Sequence, residues 1–405
     1  MRILFCNYEY PPLGGGGGVF TAALAQELAT RHEVTVLTSQ GRGVPSEEVA
    51  RGVRVVRVPV FLRRRQAVAN LPSLAAYVLM GVPAGKRLLR ERAFDVINTH
   101  FALPTGPVGD ALSRWGMVPN VLTLIGGDVY DPSKWTSPHR HPWLRGRVRS
   151  LVRRADAVVV SSANVQGYLE RYYAPGVPAQ RIALAIERPP EVEAAPRAAY
   201  GFGPDDVLLV TVGRLVARKA VDQLLAVLQR LGARAGLLVL GSGPEEGALR
   251  REAEARGVAS RARFLGHIDG PEKFRLLRMC DVYASTSQHE GYGLVFVEAM
   301  TCGLPVVCYD HGGQTDFLED GATGFLVPLN DLAQCEARCR QLAADAALRR
   351  RMGEENRRRA ETLLIDHCAQ RYEAAFEEAI ARRRAASGPA PRRLAAPRAF
   401  AEAHA

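Results

Sequence analysis

The sequence predicts an α/β protein of two Rossmann-like, doubly wound domains with a ligand-binding cleft between them. Short runs of β-branched residues alternate with amphipathic stretches, which is the pattern of βαβ units around a parallel sheet. This alternation occurs twice, on either side of a segment rich in proline, alanine and acidic residues at 187–206. The length of 405 residues suits two domains of ordinary size.

Each half of the chain supplies its own set of strand candidates. Those of the first half cover residues 2–8, 33–39, 53–59, 95–100, 120–126 and 157–162. Those of the second half cover residues 207–213, 237–243, 263–266, 282–286, 305–310 and 324–329. We therefore expect a first domain at 1–188 and a second at 189–363. A helix at 364–384 and a disordered tail at 385–405, rich in alanine, proline and arginine, would follow.

Of the net charge of +11, +5 lies at the C-terminus, where residues 381–405 carry six arginines and one glutamate. The body of the protein is therefore only mildly basic, and no nucleic-acid-binding motif is present in the sequence. We expect no nucleic acid partner. The seven cysteines are odd in number and mostly set in apolar runs, which predicts reduced thiols in a cytoplasmic protein.

One apolar stretch, 67–84, is long enough to be considered as a membrane span. It is flanked by basic residues but is interrupted by Asn70, Pro72, Gly81 and Pro83. A packed or interfacial helix is the better interpretation. The N-terminal residues lack the features of a signal peptide and are expected to form the first strand.

The first chemical motif is a run of five glycines, Gly14 to Gly18, between the first strand and the first helix. Glycines at a helix N-terminus let backbone N–H groups approach a phosphate, so Gly16 and Gly17 are candidate diphosphate-binding residues. The alternative is a flexible turn. The run does not fit the G-x-G-x-x-G fingerprint followed by an acidic residue, which disfavours an NAD enzyme.

The second motif follows the first strand of the second domain and contains Arg214 and Lys219. A lysine at a helix N-terminus opposes the helix dipole, so its position does not serve helix stability. Two fixed cations facing a pyrophosphate would instead offset the charge on a departing nucleoside diphosphate. The alternative is a pair of solvated surface cations.

The third motif contains two glutamates, Glu290 in a glycine-rich loop and Glu298, which we place in the first turn of the next helix. A loop carboxylate can bind sugar hydroxyls, while the free N–H groups of the helix hold phosphate. Glu298 can accept hydrogen bonds from both hydroxyls of a ribose. For Glu298 alone, the alternative is a first-turn glutamate favoured by the helix dipole.

The segments VGRLVARK, LLVLGSGPEEGALR, RFLGHI and EGYGLVFVEAMTCGLPVV closely resemble retaining glycosyltransferases of family 4, which have the GT-B fold. The resemblance implies a nucleoside-diphosphate-sugar donor held mainly by the second domain, and a terminal helix that crosses back to the first. It also implies individual roles: diphosphate binding by Arg214, Lys219, Leu294 and Val295, donor-sugar contact by Glu290, ribose binding by Glu298, and base contact by the backbone at His267 and Ile268.

The chain departs from this family pattern at several positions. Ile125 stands where the family usually has a histidine in the first domain, Ala220 where it prefers glycine, and Asp316 where it has glutamate. Two residues at strand ends facing the cleft, His100 and Asp128, could compensate for Ile125 by contacting substrate. With Glu290 they are the candidate catalytic residues. The alternatives are a packing or hydrogen-bonding histidine and an aspartate that stabilises a turn.

The sequence thus predicts a retaining glycosyltransferase that needs no metal ion and no cofactor beyond its nucleotide-sugar co-substrate. No Asp-x-Asp motif occurs in the sequence, and the paired cations would neutralise the diphosphate instead. The acceptor would be a hydroxyl of a glycolipid, a polysaccharide or a small molecule. A basic helix candidate at 139–155 adds a possible peripheral contact with an anionic membrane at its inner face. A nucleotide-sugar epimerase and a non-catalytic nucleotide-sugar-binding protein are the alternative functions.

Overall fold

In the computed structural model, which describes residues 1–61, 69–268 and 270–387, the chain forms two separate β-sheets. The strands of the first sheet are β1 (Arg2–Cys6), β2 (Glu33–Ser39), β3 (Glu47–Ala50), β4 (Val53–Val58), β5 (Val96–His100), β6 (Asn120–Leu124), β7 (Ala157–Val160) and β8 (Gln180–Arg181). Those of the second sheet are β9 (Val207–Val212), β10 (Ala235–Leu240), β11 (Ala262–Gly266), β12 (Val282–Ser285), β13 (Val306–Tyr309) and β14 (Gly324–Val327).

Both sheets have a doubly wound strand order. The first is ordered β3-β4-β2-β1-β5-β6-β7-β8 and is parallel except for the β3–β4 pair. The second is ordered β11-β10-β9-β12-β13-β14, and all its pairs are parallel. The direction of winding therefore reverses between β1 and β5 in one sheet and between β9 and β12 in the other. Ligands bind outside the carboxyl ends of strands at such switch points.

Helices cover both faces of each sheet. They are α1 (Gly16–Ala29), α2 (Leu71–Glu91), α3 (Gly106–Gly116), α4 (Pro142–Arg154), α5 (Ala163–Tyr172), α6 (Val221–Arg230), α7 (Glu246–Ala255), α8 (Gly270–Met279), α9 (Leu294–Thr301), α10 (Leu332–Ala344), α11 (Ala346–Glu361) and α12 (Ile365–Ser387). In β1, Ile3 and Phe5 face a cluster with α1 and α12, while Leu4 and Cys6 face α2 and α3. This alternation follows from the two-residue period of a strand.

The terminal helix α12 packs on the first sheet, although it follows the second domain in sequence. Tyr372 and Phe376 lie in the apolar cluster of β1 and α1, and both are fully buried. Arg383 donates from Nε and Nη2 to the two carboxylate oxygens of Asp156, at 2.7 Å each. The chain therefore returns to its first half before it ends.

All twelve strands predicted from the sequence are present, with ends that differ by at most three residues. The prediction missed β3 and β8, which are short and largely exposed edge strands without an apolar pattern. The seven cysteines are free and buried. The apolar stretch 67–84 lies mostly in α2, and its first two residues are outside the described range. The predicted tail is likewise outside it from residue 388 onward, while residues 385–387 belong to α12.

Candidate active site

The chemical motifs of the sequence lie at the two topological switch points. The glycine run follows β1 and His100 ends β5, on either side of the first switch point. The loop with Arg214 and Lys219 follows β9, and the loop with Glu290 follows β12, on either side of the second. Because parallel strands share one carboxyl edge, each pair of loops meets in space. The cleft is built from these four loops.

The loop after β9 brings three cations to the carboxyl edge of the second sheet. Lys219 ends a 3₁₀ turn, Ala217–Lys219, and its side chain lies beside the backbone of Gly213. Arg218 donates from Nη1 to the His289 carbonyl oxygen at 2.7 Å, which ties this loop to the loop after β12. Arg214 is exposed, and no described residue forms a hydrogen bond or ion pair with its side chain. Its guanidinium is therefore available to an anion.

Glu290 is buried and lies between two of these cations. Its Oε1 accepts a short hydrogen bond from Lys219 Nζ, and its Oε2 is 3.8 Å from Arg218 Nη1. Burial by itself raises the pKa of this carboxyl, but the charges of Lys219 and Arg218 outweigh burial and hold it below its usual value. Glu290 is therefore ionised at neutral pH, and the three cations exceed it by two charges.

Two helix N-termini approach each other across the cleft. The helix α9 begins at Leu294 after Gly293, with no side-chain cap, so the N–H groups of Leu294 and Val295 are left for another acceptor. The helix α1 begins at Gly16, again without a side-chain cap, and a Cβ on Gly16 would be 3.9 Å from Leu294 Cδ1. Both termini carry partial positive charge and favour an anion between them.

Two glycines allow close contacts in this region. A Cβ on Gly17 would lie 2.3 Å from Phe101 Cζ, so a larger residue cannot occupy this position without moving the ring. A Cβ on Gly126 would lie 2.9 Å from the Cα of Gly291, the residue after Glu290. The two domains therefore contact each other through main chain immediately beside the charged cluster.

Glu298 pairs with a lysine that the sequence analysis did not identify. Its Oε1 accepts from Lys273 Nζ at 2.6 Å, and its buried Oε2 has no hydrogen-bond partner among the described residues. The prediction that Glu298 lies in the first turn of its helix is wrong, because α9 begins at Leu294 and has no acidic residue there. Its position is thus not explained by the helix dipole, and Oε2 is left for a ligand.

The predicted base-binding segment follows β11. His267 and Ile268 come directly after the end of this strand, and α8, which carries Lys273, starts at Gly270. Ile268 packs against the apolar cluster beneath α9. This segment therefore lies on the same side of the second sheet as the Glu298–Lys273 pair, and its role in binding the base stays a prediction.

The proposal that His100 touches substrate needs correction. The ring is fully buried; Nδ1 is 2.7 Å from Thr21 Oγ1 and Nε2 is 2.7 Å from Asn98 Oδ1. Phe5 and Phe20 pack against the ring. Burial lowers the pKa of His100 to about 3, so the imidazole is neutral. His100 is a hydrogen-bonding residue of the core, which was the alternative interpretation.

Asp128 also turns away from the cleft, which corrects its assignment as a catalytic residue. Its Oδ2 accepts from the Ala102 N–H at 2.7 Å, and its Oδ1 accepts from the N–H groups of Ile125 and Gly126 at 3.2 and 2.8 Å. Burial raises the pKa of Asp128, and these backbone donors offset part of that increase. The carboxylate holds together the loops that follow β5 and β6.

Ile125 is part of the apolar contact between the domains. Its side chain is buried with Phe101 of the first domain and Tyr292 of the second. The family histidine is thus replaced by a packing residue. Asp316, the other departure near the cleft, accepts from the Ala163 N–H at 2.7 Å and so joins the second domain to the first turn of α5.

Three residues of the site were missed by sequence reasoning. Arg218 was passed over because it stands next to Lys219 in a basic run, where only its neighbours were assigned. Lys273 belongs to none of the motifs, because its partner Glu298 lies 25 positions away in the sequence. His289 directly precedes Glu290, and no motif in the sequence assigns it a role. None of these three could be separated from ordinary surface or loop residues by spacing alone.

Two doubly wound domains with a cation loop, a buried acidic loop and an uncapped helix around one cleft define a glycosyltransferase of the GT-B type. The family models agree: "Glycosyltransferase Family 4" matches residues 14–185 and "Glycosyl transferases group 1" matches residues 193–359. The chain belongs to glycosyltransferase family 4.

The similar proteins span nearly the whole chain. The glycogen synthase of Mycobacterium tuberculosis is 30% identical over 381 residues, 89% of this chain and 90% of its own. The GDP-mannose-dependent alpha-(1-6)-phosphatidylinositol monomannoside mannosyltransferase of Mycolicibacterium smegmatis is 28% identical, covering 87% and 91%. Among solved structures, sucrose-phosphate synthase from Thermosynechococcus elongatus superposes with a TM-score of 0.81 at 23% identity, over 94% of this chain and 99% of that one.

Proposed function

We propose that this glycosyltransferase moves a sugar from a nucleoside diphosphate to a hydroxyl acceptor, with retention of anomeric configuration and without a metal ion. The observation that carries the proposal is the pairing of the buried Glu290 with Lys219 and Arg218, whose loop also carries the exposed Arg214. Glu290 lies in the loop that leads into the uncapped N-terminus of α9. The relative from Mycolicibacterium smegmatis is a GDP-mannose-dependent mannosyltransferase, which agrees with a diphosphate at this position.

The charge of the cluster suits the leaving group. A nucleoside diphosphate gains negative charge as its bond to the sugar breaks, and cations fixed at that point stabilise the transition state more than the ground state. The three cations and the one carboxylate carry a net charge of +2, which is similar in size to the negative charge on a diphosphate. Lys219 would exchange part of its contact with Glu290 for the phosphate.

Glu290 and Glu298 divide the remaining contacts of the donor. We assign Glu290 to the hydroxyls of the transferred sugar, because it is ionised beside the diphosphate cations. We assign Glu298 to the ribose, because its Oε2 has no partner among the described residues. The leaving diphosphate can itself accept the proton of the acceptor hydroxyl, so no strong general base is required. His100 and Asp128 then act on the site only through the loops they hold.

The face formed by α2, α3 and α4 supports a peripheral contact with an anionic membrane. Leu79 of α2 and Trp143 of α4 are each 72% exposed, and α3 lies between these helices. The five arginines of α4 have no acidic counterpart in that helix. Exposed apolar side chains with basic neighbours are typical of interfacial binding. No described helix is both long enough and apolar enough to cross a bilayer.

Co-sedimentation with vesicles tests this contact. Binding to vesicles containing anionic lipid should fall as salt rises and should weaken in a Trp143→Ala, Arg147→Ala variant. Equal binding to neutral vesicles at high salt would contradict the electrostatic part of the proposal. We place the protein in the cytoplasm, in keeping with its free, buried cysteines.

The experiment that tests the proposed reaction has two stages. A thermal-shift screen of UDP, GDP, ADP and their sugars identifies the donor, because a ligand that binds the native state raises its stability. The product formed with that donor is then examined by NMR for its anomeric configuration. We expect the configuration of the donor to be retained. A product of clean inversion would overturn the proposed mechanism.

A further inference from the structure

His289, the residue before Glu290, is buried with neither ring nitrogen in a hydrogen bond to any described residue. The side chain is 4% exposed, and both Nδ1 and Nε2 are inaccessible to solvent. Only its main chain is engaged: the carbonyl oxygen accepts from Arg218 Nη1 at 2.7 Å and from Ser287 Oγ at 3.3 Å. Buried polar groups are nearly always paired, so an imidazole with two unmet nitrogens calls for an explanation.

The surroundings of the ring place it where the two domains meet. Its centroid is 5.5 Å from that of Tyr130 and 6.4 Å from that of Tyr168, both in the first domain. On the side of the second domain, the ring of His311 is 6.2 Å away. Tyr130 and Tyr168 are themselves stacked at 4.0 Å. The imidazole therefore lies between Tyr130 and Tyr168 of the first domain and His311 of the second.

We propose that His289 binds a substrate hydroxyl at the reaction centre and contributes to the specificity of the enzyme. A neutral imidazole has one N–H donor and one acceptor nitrogen, and a hydroxyl group can pair with either nitrogen because it both donates and accepts. A phosphate only accepts hydrogen bonds and could therefore pair only with the N–H.

The ionisation of the ring agrees with this assignment. Burial is the main reason that the pKa of His289 lies below its usual value, and the nearby charge of Arg218 lowers it further, while Asp131 and Glu290 act in the opposite direction. The ring is thus neutral at pH 7. Because its cover comes from the opposite domain, an opening of the cleft that admits substrate would also uncover the ring.

The inference rests on the proposed function and can be tested beside it with His289→Phe and His289→Asn. The phenylalanine fills the same space and removes both nitrogens; asparagine restores a donor and an acceptor. His139→Phe is the matched control, because that ring packs on the same Tyr130, with centroids 4.4 Å apart, but its Nδ1 is already paired with Ser137.

We expect His289→Phe to keep its affinity for the nucleoside diphosphate within a factor of two and to melt no lower than wild type. Its kcat/KM for transfer should fall about ten- to a hundredfold, with partial recovery in His289→Asn. If the hydroxyl belongs to the donor, the variant should also hydrolyse the donor more slowly when no acceptor is present. If the hydroxyl belongs to the acceptor, only the KM for the acceptor should change.

Unchanged kinetics for both substrates in His289→Phe would overturn the inference, as would an equal loss in the His139→Phe control. The wild-type rate in the same assay tests the proposed function separately. An inactive wild type therefore counts against the reaction, and an active wild type with an equally active His289→Phe counts against the role of the imidazole.

Discussion

The two sides of the cleft differ in the kind of group that they present. On the side of the second domain, charged side chains reach the site directly: Lys219 with Glu290, and Lys273 with Glu298. On the side of the first domain, the polar side chains of His100 and Asp128 are directed into the protein, and glycine backbone faces the cleft. The second domain presents charged side chains to the cleft, whereas the first presents main chain.

This difference has a physical origin. A diphosphate carries the same charge in every donor, so fixed cations serve any nucleotide sugar. A backbone surface that is held by internal hydrogen bonds contacts a substrate through complementary shape. The sequence of its loops can differ between enzymes that use different acceptors. Substitutions in the second domain should therefore change the chemistry directly. Those in the first domain should act through stability and loop position.

The largest effect is expected for the cations. Arg214→Ala should lower kcat/KM about 10²–10³-fold, because it removes a charge aimed at the departing diphosphate. Arg214 is exposed and unpaired among the described residues, so the variant should have the same melting temperature as the wild type. Arg351→Ala, which removes an exposed arginine of α11 in the same domain, is the control. Steady-state kinetics that show equal activity in both variants would remove Arg214 from the site.

Lys219→Met should cause a loss of similar size but also a lower melting temperature, because it leaves the buried Glu290 without its closest cation. The two effects are separated by measuring the folded fraction at the assay temperature. If only the melting temperature changed, Lys219 would be a structural partner of Glu290 and not a donor-binding group.

A smaller effect, and one of a different kind, is expected for the ribose contact. Glu298→Gln should weaken nucleoside diphosphate binding roughly tenfold and leave kcat nearly unchanged, since ribose contacts are the same in the ground and transition states. Lys273→Met should weaken binding in the same way, because Lys273 Nζ donates to Glu298 Oε1 at 2.6 Å and so holds this carboxylate in place. Isothermal titration gives the affinity and turnover gives kcat. A loss confined to kcat would contradict the assignment.

The sequence predicted the positions of the candidate site residues better in the second domain than in the first. The two motifs with Arg214 and Lys219 and with Glu290 and Glu298 are each short and charged, and the order of strands brings them to one edge. His100 and Asp128 also end near the cleft, but the direction of a side chain depends on partners such as Thr21 and Ala102 that are distant in sequence. Position at a strand end therefore predicts proximity to the site and not contact with the substrate.

The buried His100 of the first domain should make the stability of the protein depend on pH. Burial holds the pKa of His100 at about 3, below the usual value of 6.5 for histidine, so the unfolded state binds more protons between these values. Stability is then fully present above pH 6.5 and falls as the pH drops toward 3, by about 1.4 kcal/mol per pH unit from this group. Thermal melts of His100→Gln against wild type should show a shallower fall, with donor affinity retained. Equal slopes would contradict the buried, neutral ring.

Cations of the second domain are proposed to stabilise the leaving diphosphate in place of a metal ion. The most direct test is the transfer rate in excess EDTA compared with the rate in Mg²⁺ or Mn²⁺. Because Arg214, Arg218 and Lys219 are part of the chain, we expect the same rate in all three conditions. Loss of transfer on chelation, restored by adding the metal ion, would contradict this account of the site.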